Sequence, residues 1–127
     1  MIKFKVSIDY KRKEEAVEKL SNSELTFDYI TTAVATCYKD GLSGSKRRMF
    51  GRIQRKIEDA IDKNEDTIEL EVAEFDFIRK TFDDDKATLP AHVSQYVNIL
   101  EDEIEATKDA NKKKKESDTT TEKQGIS

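Results

Sequence analysis

The chain has 127 residues, 39% of them charged and 35% hydrophobic, and a formal net charge of −4. That length suits one domain, or one domain and a tail. No uninterrupted apolar run exceeds three residues, far short of the roughly 20 that a membrane helix needs. One cysteine and one histidine exclude an internal disulfide framework and the usual zinc cages of about four N/S ligands. Nothing in the composition implies a cofactor.

In chain order, Ile2, Phe4, Val6 and Ile8 alternate with Lys3, Lys5, Ser7 and Asp9, the period-2 pattern of a strand with one buried face. Residues 13–20 suit a short helix with Ala16, Val17 and Leu20 inward. Ser21 and Glu24 have capping-box spacing, with Ser23 a competing cap. A helix over about 24–39 follows, its inward positions Phe27, Ile30, Val34, Cys37 and Tyr38, with Gly41 as a left-handed C-cap. A second long helix over about 46–63 carries Met49, Phe50, Ile53, Ile57, Ala60 and Ile61 as its apolar stripe.

Ile68, Leu70 and Val72 predict a second strand. The next helix starts within Ala73–Phe75, keeps Phe75, Ile78 and Phe82 inward, and ends at Asp83-Asp84-Asp85, three acids at the negative end of its dipole. The only proline, Pro90, falls near the first turn of a last helix with Val93, Tyr96, Val97, Leu100 and Ile104 as its stripe. The expected fold is α+β and mostly helical: five helices packed on a two-stranded antiparallel sheet, in the order βααα-β-αα. Residues 1–107 form the compact domain. Residues 108–127, rich in Lys and Thr and almost free of apolar side chains, form a disordered polar tail. The run Lys112–Lys115 is a solvated linker or a contact for an acidic surface or nucleic acid.

The net charge hides an asymmetry: residues 1–64 sum to +4, residues 65–107 to −10 and the tail to +2. Within Ser45–Lys56 stand Lys46, Arg47, Arg48, Arg52, Arg55 and Lys56 and no acid. At about 100° per residue, Arg48, Arg52, Arg55 and Lys56 span an arc of roughly 100° opposite the apolar stripe. Cations in the first turns oppose the helix dipole. This basic face suits an acidic protein or nucleic-acid phosphate. The bland alternative is a solvated face, paired through Arg55 with Asp59 or with the acidic half of the chain. A pI near 5.2, with no aromatic side chain interleaved to stack bases, disfavours nucleic acid. The secondary candidate is an acidic face formed by Glu69, Glu71, Asp83, Asp84 and Asp85, suited to a basic partner or to solubility.

Catalytic readings find no support in the residues. Asp83–Asp85 lack calcium-loop spacing. Asp84-Asp85-Lys86 imitates a nuclease tripeptide but falls in a loop, and Leu42–Lys46 lacks the spacing of a phosphate loop. Cys37 is expected as a buried thiol and His92 as a surface or helix-end residue. The run from Tyr38-Lys39-Asp40-Gly41 to Arg47-Arg48, then Glu69-Leu70-Glu71 leading into Glu74-Phe75-Asp76-Phe77-Ile78, is similar to the small accessory proteins of tailed bacteriophages. The resemblance covers about residues 25–105 and carries no catalytic residue across. It implies a viral protein acting in the host cytoplasm or sitting in the virion. The expected role is a non-enzymatic contact with a host or viral protein through a charged face, inhibition of a host macromolecule being one form of it. The alternatives are self-association as a virion component, then nucleic-acid binding by the 46–56 helix, and no membrane is involved.

Overall fold

The computed structural model describes the backbone of residues 1–12 and 20–126 and the side chains of residues 1–12 and 20–112. Strand β1 (Ile2–Lys5) is followed by α1 (Asn22–Cys37), α2 (Gly44–Asp62), β2 (Thr67–Leu70), α3 (Val72–Asp83), a 3-10 turn at Ala91–Val93, and α4 (Ser94–Ile126). The architecture is α+β, as expected, but the described residues hold four α-helices rather than five. The fifth, expected over 13–20, lies outside the described residues except for Leu20. That side chain is 38% exposed rather than inward and lines a cleft with Phe27 and Ile61.

The strands pair antiparallel, Ile2 opposite Leu70 and Phe4 opposite Ile68. One sheet face is buried under the helices and the other carries Lys3, Lys5 and Glu69. Alternating burial runs beyond β1, through Val6 and Ile8 to Tyr10, because the chain stays extended while Val6 and Ser7 both donate to the carbonyl of Asp66. Tyr10 is the deep anchor of this arm. Its hydroxyl bonds Thr26 Oγ1 and its ring meets Tyr29 edge-on at 5.7 Å. Thr26 in turn donates to the Val6 carbonyl at 2.8 Å. Burial pushes the Tyr10 phenol up from its ordinary value.

Ser21 caps α1 as its capping box requires: Glu24 N–H donates to Ser21 Oγ at 3.2 Å, and Ser21 N–H to Glu24 Oε1 at 3.3 Å. The helix is rotated from the expected stripe. Leu25, Thr26, Tyr29, Ile30, Ala33 and Val34 are buried, whereas Phe27, Cys37 and Tyr38 are only partly so. Gly41 does adopt φ +95°, but it closes the turn after Tyr38, to whose carbonyl its N–H donates, rather than capping the helix. On α2 the expected stripe holds at Phe50, Ile53, Ile57 and Ala60.

The second strand ends sooner than its alternation suggests. Glu71 becomes the N-cap of α3, so Val72 is the first helical residue and is 58% exposed instead of inward. Pro90 precedes the 3-10 turn, ahead of α4. Val93 of the 3-10 turn and Val97, Leu100 and Ile104 of α4 close the core, each such side chain contributing about 1.5–3 kcal/mol. The last buried residue among those described is Thr107. The backbone of α4 runs to Ile126, but no described side chain after Thr107 is buried, which fits the expected polar tail; the side chains of 113–127 lie outside those described.

Candidate protein-contact face

Helix α2 follows Ser43, which has the extended backbone of an N-cap but makes no side-chain capping bond. No acid occupies its first turn and no base its last. Lys46, Arg47 and Arg48 instead crowd the positive end, and Asp59 and Asp62 the negative end. Each misplaced charge costs about 0.3–1 kcal/mol at low salt. The apolar stripe packed on the sheet outweighs that cost.

The six cations separate by environment rather than forming one face. Lys56 Nζ lies 2.6 Å from Glu74 Oε1, and Arg52 Nε lies 3.7 Å from Glu74 Oε2. Glu74 is 1% exposed. Its Oε1 also accepts the Glu71 N–H at 2.8 Å, while its Oε2 has no hydrogen-bond partner. Here the basic and acidic halves of the chain attract each other inside one fold. Lys46 points the other way, its Nζ 5.1 Å from the centre of the Tyr38 ring, which stacks on Phe77 at 5.8 Å. Of the six, only Arg47, Arg48 and Arg55 are exposed with no side-chain ion pair or hydrogen bond among the described residues. The expected Arg55–Asp59 pair is absent among those residues. With Arg52 they cover an arc of roughly 140° on the outer surface of α2. Glu58, Asp59 and Asp62 continue the same exposed surface toward the C-terminal end.

The acidic candidates do not merge into one face. Glu69 stands opposite Lys3 across the sheet, an opposite-charge pairing that neutralises its neighbourhood. Glu71 caps α3. Asp83 lies 3.6 Å from Arg79. Asp84 accepts the Lys86 N–H at 2.8 Å and organises the turn after α3, and Asp85 is exposed beside it. Burial, then the neighbouring Asp83 and Asp102, pushes the Glu101 carboxyl up from its ordinary value. Among the described residues no group of three His, Cys, Asp or Glu side chains is placed to hold a metal ion.

Cys37 is half-buried rather than sealed in the core. Burial and then Asp84 raise its thiol. His92 is exposed in the 3-10 turn. Residues 38–43 simply join α1 to α2. The feature that pattern reading passes over is Glu74. It lies one turn before Ile78 on the face that also buries Phe77, Ile78 and Thr81, and an acid on an apolar face is the signal that could have revealed it. Among the described residues no helix is long and apolar enough to cross a membrane. No family model, curated protein or solved structure matches the chain.

Proposed function

We propose that this chain is a non-enzymatic contact protein whose outer α2 surface, built on Arg47, Arg48, Arg52 and Arg55, engages an acidic protein surface. In the viral setting that the phage resemblance implies, occupying a host or particle protein is the corresponding role. The observation that carries this reading is the division of labour on one helix. Lys56, and more loosely Arg52, tie α2 to the buried Glu74. Arg47, Arg48 and Arg55 stay exposed and unpaired among the described residues on the same rigid mount. Guanidinium groups suit bidentate capture of carboxylates. A phosphate backbone fits less well, because Glu58, Asp59 and Asp62 share the surface and would repel it.

The test is affinity purification of the tagged chain from bacterial lysate, with and without nuclease, beside the variant Arg47→Glu/Arg48→Glu/Arg55→Glu. The expected result is a stoichiometric, nuclease-resistant protein that the variant loses while its thermal melt stays intact. A folded variant that still retains the protein overturns the reading. Self-association is the second reading, favoured by the acidic stretch that continues the basic one along a single helix.

A further inference from the structure

Three local costs coincide on the outer surface of α2. Cations crowd its positive end and carboxylates its negative end, each against the helix dipole. Its N-cap, Ser43, makes no capping bond. In the middle of the helix sits the exposed Gly51, an unfavourable residue there. Gly51 has no positive φ to justify it, and a Cβ added to it would meet nothing within 4 Å. Nothing among the described residues explains this glycine. A backbone approaching from outside does.

Residues 44, 48, 51, 55, 58 and 62, at alternating spacings of four and three, run along one face of α2. Read in order they are Gly44, Arg48, Gly51, Arg55, Glu58 and Asp62. This string is complementary to its own reverse. Extending the reading of this surface as a contact face, we infer that its occupant is the same surface of a second copy of this chain, with the two α2 helices antiparallel about a two-fold axis at the level of Ile53.

In that register Arg48 meets the partner's Glu58. Arg55 lies across the bare backbone of the partner's Gly51. Asp62 reaches the partner's Gly44, the first residue of α2, and supplies the negative charge that the uncapped end lacks. Because the arrangement is isologous, each contact occurs twice. Each helix end then receives charge of the sign that its dipole favours. Within one chain Arg48 and Glu58 are separated by about 15 Å of helix rise, so they pair only between copies. Gly51 lets the axes approach closely, as small residues do at helix crossings. The contact is polar and confined to one helix face, so the dimer is weak and salt-sensitive.

The test is sedimentation of the purified full chain. At ~50 mM salt the average mass should rise toward that of a dimer between about 10 µM and 1 mM, and at ~0.5 M salt it should fall back to the monomer. Arg48→Glu and Glu58→Arg should each weaken association by about tenfold or more. The double variant Arg48→Glu/Glu58→Arg should restore it, because the reversed charges face each other again. A chain that stays monomeric at all of these concentrations in low salt overturns the inference. So do single variants that dimerise as the parent does, or a folded double variant that remains monomeric. A monomeric chain that still captures an acidic protein through Arg47, Arg48 and Arg55 leaves the contact reading standing and removes only the self-pairing. Loss of both behaviours removes both.

Discussion

Lys56 and Arg48 stand about two turns apart on one helix. Lys56 reaches a carboxylate buried on the inner face of α3, 2.6 Å away, whereas Arg48 faces outward with no ion-pair partner among the described residues. The contrast shows that charge type and helix position do not decide what a cation does. The burial of its partner does. A carboxylate removed from water needs its counter-charge, because desolvation penalises any unpaired charge. An exposed guanidinium needs none, since water serves it well. The inner edge of α2 therefore belongs to stability, and the outer face is the one proposed above as the contact surface.

The largest expected effect lies on the inner edge. Lys56→Met strands the Glu74 carboxylate with only the distant Arg52 beside it, and should cost about 3 kcal/mol, read as a denaturant midpoint at unchanged slope. Lys56 is 30% exposed, so water entering the site softens the loss. A Lys56→Met protein as stable as the parent would mean that Glu74 is not a buried charge in solution. Glu74→Gln removes the charge but keeps the acceptor for the Glu71 N–H. It should cost less, about 1–2 kcal/mol. The order of these two variants is the sharper test, because an ordinary surface pair would lose little with either, about 0–1 kcal/mol.

On the outer face the sign reverses. Gly51→Ala should raise the unfolding free energy of the monomer by up to about 1 kcal/mol, measured at high salt where copies separate, since a Cβ there meets nothing. A loss of stability would place an undescribed contact at that position. The smallest effect lies away from α2. The Glu101 carboxyl is raised above its ordinary value of 4.5, chiefly by burial and then by Asp83 and Asp102. The folded state therefore holds that proton more tightly than the unfolded chain, and the resulting stability is present at low pH and lost as pH rises through the folded value. Glu101→Gln should slightly raise the melting temperature at pH 7, with the gain over the parent vanishing below about pH 4.

The sequence by itself determined what depends on neighbours along the chain. The alternation at Ile2, Phe4, Ile68 and Leu70 specified two strands. Ser21 and Glu24 specified where α1 begins. The stripe Phe50–Ile53–Ile57 specified which side of α2 is buried, so the outward placement of Arg48, Arg52 and Arg55 was legible before any fold was known. These signals are local: one period, one cap, one turn of helix.

Tertiary structure decided what depends on partners distant in sequence. It sealed Glu74 under the fold and bound Lys56 to it across 18 positions. It laid Lys46 over Tyr38, fastened Tyr10 to Thr26, and set Lys3 against Glu69 so that no single acidic face formed. Val72 turned outward because Glu71 capped a helix where alternation implied more strand. A charge pattern shows which side chains are available to pair. Burial, set by how the helices close over the sheet, determines which of them must.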